Sequence, residues 1–68
     1  MDIKEEFGKR LAQMRKERKI SQEQLAELSG LNRPYISGIE QGKRNVSLEV
    51  IVSLAKALGI KTKELFEE

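Results

Sequence analysis

The sequence predicts an all-α fold, a compact domain of five short helices. Apolar residues recur at steps of three and four along most of the chain, which is the spacing of one helix face. Polar capping residues and glycines divide these stretches at short intervals, and no segment alternates apolar and polar residues for long enough to indicate a strand. Sixty-eight residues without a linker or an internal repeat predict a single domain over residues 1–68.

The first predicted helix carries an apolar stripe and a basic outer face, and it is expected to run to about Lys19. The residues expected to face inward are Ile3, Phe7, Leu11 and Met14. Six of the residues from 9 to 19 are basic against one acid, so positive charge is concentrated here although the formal net charge is only +2. The simpler interpretation of these charges is a solvated outer face.

The second predicted helix begins at Ser21, which forms a capping-box pattern with Gln24. Leu25 and Leu28 are expected to face inward, and Gly30 suits the left-handed position just beyond the helix end. This helix is therefore only about eight residues long.

The last three predicted helices each begin at a polar cap. Asn32 caps the third, which has Ile36 and Ile39 inward and ends near Gly42. The fourth is capped by Ser47 and stops at Gly59, with inward residues Leu48, Ile51, Leu54, Ala55 and Leu58. Thr62 is expected to cap a short fifth helix that contains Leu65 and Phe66.

Composition argues against several classes of function. There is no His and no Cys, Asp2 is the only Asp, and the Glu residues show no pairing for acid–base work, so we do not expect an enzyme. Nor do we expect a metal, a cofactor or a small-molecule ligand. No apolar run approaches the roughly 18 residues that cross a membrane, and the N-terminus lacks a signal-peptide core, so we expect a cytoplasmic protein with no membrane partner.

The second and third helices match the spacing of a helix-turn-helix unit. Ala26 is small where the third helix must cross closely over the second, and Gly30 allows the tight turn between them. Helix pairs of this kind also occur in proteins that bind no nucleic acid, so the spacing alone leaves DNA binding open.

Nearly the whole chain, from about residue 7 to residue 66, resembles the Cro/cI-type helix-turn-helix family, also called the XRE family, of bacterial and phage regulators. The most specific pieces are Met14-Arg15, SQEQLA, YISGIEQGKRN and LAKALGI. The run NRPYISGIEQGKRNVSL is most similar to the controller proteins of restriction-modification systems, which are small homodimers. The resemblance implies a lambda-repressor-like fold and a transcriptional regulator that binds double-stranded DNA in the major groove.

The resemblance also implies roles for single residues. Gln22 matches a position that contacts a DNA phosphate, beside a helix N-terminus. Arg15 and Glu40 match a partly buried ion pair that braces the first helix against the third, so Arg15 is not counted as a DNA contact. Three residues in the loop after the third helix match positions that grip the sugar-phosphate backbone: Lys43, Arg44 and Asn45.

A helical wheel at about 100° per residue assigns an outer face to the third helix. It carries Arg33, Pro34, Ser37, Gly38 and Gln41, with Tyr35 on the flank. Arg33 is the best candidate to read guanine in the major groove, with a phosphate contact as the competing role.

The other members of this face have less specific expected roles. Ser37 can bond a base or a phosphate, and Tyr35 is expected to donate to a phosphate, with core packing as the alternative. Asn32 caps the helix and can also touch DNA. Pro34 can touch a thymine methyl group, and Gly38 is expected to let the helix approach the bases closely.

A second subunit is expected because one short helix reads few base pairs and the core is small. The interface candidates are apolar residues of the last two helices, with core packing as the alternative for the last two: Val50, Val52, Ile60 and Phe66. The homodimer would bind a pseudo-palindromic operator and either repress or, through RNA polymerase, activate transcription. The competing hypothesis is an interaction module such as an antitoxin or anti-repressor.

Overall fold

A computed structural model describes residues 2–66 of the chain. This part contains four α-helices, α1 (Ile3–Glu17), α2 (Gln22–Ser29), α3 (Arg33–Glu40) and α4 (Leu48–Leu58), and one 3₁₀ helix (Thr62–Leu65). It contains no strand. The all-α prediction is confirmed, and four of the five predicted helices are α-helices; the fifth element is a single turn of 3₁₀ helix.

Two helix ends lie earlier than expected. The first helix stops at Glu17 rather than near Lys19, because Lys19 takes a left-handed conformation with φ 56°. The Ile20 N–H then returns to the Arg15 carbonyl at 3.1 Å, which closes the helix without a glycine to signal it. The third helix ends at Glu40, and Gly42 lies beyond it in the turn.

The caps of the central helices follow the expected chemistry. Ser21 and Gln24 form a reciprocal capping box, with bonds of 3.0 and 2.8 Å, and Ser47 accepts from the Val50 N–H at 3.1 Å. The prediction that Thr62 caps the last helix is wrong, because Thr62 is the first residue of that helix. The N-cap position is Lys61, whose backbone N–H donates to Glu64 at 2.8 Å.

The helices enclose one apolar core. α1 packs on α3, α2 packs on both α3 and α4, and the 3₁₀ helix closes the core against α1 and α4. The buried apolar residues are Phe7, Leu11, Met14, Leu25, Ala26, Ile36, Ile39, Ile51, Leu54, Ala55, Leu58 and Leu65.

Three residues expected in the core are exposed. Leu28 points away because the inner line of α2 runs between Leu25 and Ala26, and Ser29 rather than Leu28 lies on that line. Ile3 and Leu48 occupy the first turns of their helices, where the core ends, and they are 72% and 81% exposed.

A close contact between α1 and α3 sets the position of α3. Gly8 is buried in the middle of α1, and a Cβ there would lie 2.8 Å from the Glu40 carbonyl oxygen and closer still to that of Ile39. Only a residue without a side chain allows the two backbones to meet at this point.

Candidate nucleic-acid interface

A tight turn joins α2 to α3 and fixes the start of α3. Gly30 takes the left-handed conformation, with φ 77°, and its N–H donates to the Ala26 carbonyl. Asn32 then caps α3 by accepting from the Tyr35 N–H at 2.8 Å. Ala26 is buried, as the spacing predicts.

The outer face of α3 is open to solvent. Arg33, Pro34 and Gln41 are exposed, while Ser37 and Gly38 are half-buried. Pro34 lies in the first turn, where its missing N–H has no intrahelical partner to lose. The Gln41 side-chain amide donates to the Ser37 hydroxyl at 3.0 Å, so these two polar groups lie side by side on the outer face.

Arg15 forms a two-point bond with Glu40 across the α1–α3 contact. Its Nε donates to Oε2 of Glu40 at 2.7 Å and its Nη2 donates to Oε1 at 3.0 Å, with side chains only 11% and 7% exposed. Its Nη1 donates to the Ile20 carbonyl at 2.8 Å. The hydrogen bond to Glu40 raises the pKa of the Arg15 guanidinium above its ordinary value, although burial opposes this.

Gln22 stands at the first position of α2, beside this pair. Its side-chain amide donates to Oε1 of Glu40 at 3.0 Å. An amide carries two N–H donors, and the second makes no hydrogen bond within residues 2–66. Gln22 is therefore held by Glu40 with one donor left for a ligand at the protein surface.

The loop after α3 is tied back onto that helix. The Lys43 N–H donates to the Gly38 carbonyl at 2.9 Å, and the Tyr35 hydroxyl donates to the Asn45 carbonyl at 3.1 Å. The guanidinium of Arg44 lies 5.9 Å from the centre of the Tyr35 ring. The loop side chains themselves are exposed.

Two further arginines, one in α1 and one at its C-cap, have structural partners that sequence reasoning missed. Arg10 Nε donates to the Glu64 carbonyl, and Arg18 Nε donates to the Leu58 carbonyl, each at 2.8 Å. These bonds tie α1 to the C-terminal elements. No sequence motif predicts these two hydrogen bonds, because the acceptors are backbone carbonyls of residues far away in the sequence.

The candidate dimer-interface residues, which lie in the C-terminal part of the chain, fall into two groups. Val52 and Phe66 are exposed, at 41% and 54%, whereas Val50 and Ile60 are half-buried against the core. The Phe66 ring lies 5.4 Å from that of Phe7 beside a groove of about 340 Å³.

The structure shows neither a membrane-spanning helix nor a metal site in the residues it describes. No helix within residues 2–66 combines the length and apolar character needed to cross a bilayer. Over the same range, no three potential His, Cys, Asp or Glu ligands converge on a point where an ion could be held.

Comparison with known proteins agrees with this geometry. Residues 11–65 match the family described as Helix-turn-helix (HTH_3). The control protein C.SmaI of Serratia marcescens is 46% identical over 65 residues, which cover 96% of this chain and 77% of that protein. The control protein C.MunI of a Mycoplasma species is 47% identical over 68 residues, covering 98% and 92%.

Solved structures add a match in three dimensions. The restriction-modification controller protein C.AhdI of Aeromonas hydrophila superposes with a TM-score of 0.91 at 52% identity, over 93% of this chain and 96% of that one. The family match, the similar control proteins and the helix pair α2–α3 agree, and this chain belongs to the XRE-type helix-turn-helix family of transcriptional regulators.

Proposed function

We propose that the protein binds an operator by placing α3 in the major groove. The observation that carries this is the exposure of Arg33 and Pro34 at the first turn of α3, with the loop of residues 43–45 hydrogen-bonded beside that helix. Arginine at this place can bond O6 and N7 of guanine, which gives sequence recognition.

The surrounding residues supply contacts that position the protein. Gln22 offers an amide donor beside the α2 N-terminus, and Lys43 and Arg44 offer charge to the phosphates. The full proposed DNA-binding set, which includes residues that contact DNA and residues that position a contact, is Gln22, Asn32, Arg33, Pro34, Tyr35, Ser37, Gly38, Gln41, Lys43, Arg44 and Asn45.

We propose further that two copies act together. A homodimer would present two recognition helices about 34 Å apart to a pseudo-palindromic site. Val52 and Phe66, exposed on the C-terminal elements, support an interface there, and Leu48, one turn before Val52 on α4, extends the same apolar stripe.

The similarity to the restriction-modification controller protein C.AhdI supports a role in regulating a restriction-modification system, and we propose that the protein also regulates its own transcription. Binding over a promoter would repress, and binding beside it would activate through contact with RNA polymerase. We propose that the protein acts in the cytoplasm, where it would meet its operator DNA.

Selection of bound duplexes from random DNA tests the proposal. We expect two similar half-sites related by a two-fold axis. Arg33→Ala should then relax the preference at one position of each half-site by about 1–3 kcal/mol and leave the other positions unchanged. Failure to enrich any sequence would refute operator binding and favour an interaction module such as an antitoxin or anti-repressor.

A further inference from the structure

Gly38 lies in the middle of α3, where glycine is unfavourable. The space that a side chain at this position would fill is already occupied. A Cβ at this position would lie 2.8 Å from Cγ of Arg44, 3.5 Å from its Nε and 3.7 Å from its Cδ. The stem of Arg44 therefore crosses α3 at the one residue that has no side chain. The backbone of Gly38 is not left-handed, so its conformation does not require glycine.

Contacts other than the one at Gly38 also hold the Arg44 side chain across α3. Its guanidinium lies over the Tyr35 ring, at 5.9 Å from the centroid, where a cation is attracted to the π face. The neighbouring backbone is fixed at Lys43, which donates to Gly38, and at Asn45, which accepts from Tyr35. The loop can thus aim Arg44 along the edge of the outer face.

We infer that Gly38 is a positioning residue that seats Arg44 for contact with DNA. This rests on the proposed function and deepens it: it replaces the expectation that Gly38 serves by letting the DNA itself approach the helix. A free arginine loses rotamer freedom when it binds a phosphate or a base, and an arginine already seated loses less.

Gly38→Ala tests the inference because the clash falls on a movable side chain. We expect the variant to fold and to melt at or above the parent temperature, since alanine favours helix more than glycine does. Its affinity for a duplex selected by the parent protein from random DNA should fall about tenfold as Arg44 is displaced.

The same substitution in an Arg44→Ala background separates the two explanations. If Gly38 acts through Arg44, Gly38→Ala should change affinity by less than about twofold once Arg44 is absent, as coupled residues in a double-mutant cycle do. An equal loss in both backgrounds would show that the DNA meets position 38 directly and would overturn the inference.

Other results are equally decisive. Parent-like affinity of Gly38→Ala, or of Arg44→Ala alone, would overturn the inference while leaving operator binding intact. If the parent protein selects no duplex at all, the proposed function fails and the inference fails with it.

Discussion

The side-chain amide of Gln22 donates to the same oxygen of Glu40 that accepts Nη2 of Arg15, each at 3.0 Å. One carboxylate therefore joins the first, second and third helices. A residue at the proposed DNA surface is held by a nearly buried ion pair, so the geometry of the interface depends on a contact made inside the protein.

Glu40→Ala should destabilise the protein strongly. It leaves the Arg15 charge nearly buried with only the Ile20 carbonyl as partner, and we expect the free energy of unfolding to fall by about 3 kcal/mol. Urea denaturation at a fixed protomer concentration measures this. The control is the double variant Arg15→Met, Glu40→Leu, which removes both charges and should recover most of the loss. Similar stability of parent and single variant would contradict the prediction.

Gln22→Ala should weaken DNA binding about tenfold for all sequences alike, because a phosphate contact carries no sequence information. The slope of affinity against salt concentration should not change, since an uncharged amide releases no counterion. Gln13→Ala, an exposed glutamine of α1, is the matched control and should bind as the parent does. A loss confined to one base pair would instead indicate base reading by Gln22.

Lys43→Ala should lower both the affinity and the salt slope, the latter by about 1, because one phosphate contact and its counterion are lost. Titrations at several salt concentrations measure the two quantities together. Lys56→Ala changes the net charge by the same amount at an exposed site on α4 and should leave the slope unaltered. Equal slopes for both variants would remove Lys43 from the interface.

The success of sequence reasoning depended on whether a signal was local. Capping residues and glycines lie beside the helix ends that they determine, so the N-caps of α2, α3 and α4 are, as predicted, Ser21, Asn32 and Ser47. The left-handed conformation at Lys19 has no such signal, because the position holds a lysine and not the glycine or asparagine that usually marks a helix end of this kind.

Assignments to the core failed where a helix is too short for its periodicity to decide. Leu28 fits an apolar spacing from Leu25, yet the burial of Ala26 rotates the inner line away from it. The seat of Arg44 on Gly38 and the tie from Gln22 to Glu40 depend on tertiary contacts. Neither contact can be predicted from the sequence, because the residues that meet are not neighbours along the chain.

Val52→Arg should convert the proposed dimer to a monomer without unfolding it. Val52 is 41% exposed, so the new charge costs little in the free subunit but would be buried without a partner in the interface. Sedimentation at tens of micromolar protein measures the change. Leu28→Arg places the same side chain at an exposed apolar site of α2, outside the proposed interface, and should remain dimeric. A monomeric parent would refute the interface.

Gly8→Ala and Gly38→Ala make the same chemical change in two helices and should have opposite effects on stability. At Gly8 the added carbon meets the backbone carbonyls of Ile39 and Glu40, which cannot move without shifting α3, so we expect a loss of about 2 kcal/mol. At Gly38 the three nearest atoms all belong to the Arg44 side chain, and the gain in helix propensity should hold or raise stability. Urea denaturation of both variants at one protomer concentration measures the difference. If Gly8→Ala were as stable as Gly38→Ala, α1 and α3 could not be in backbone contact at this point.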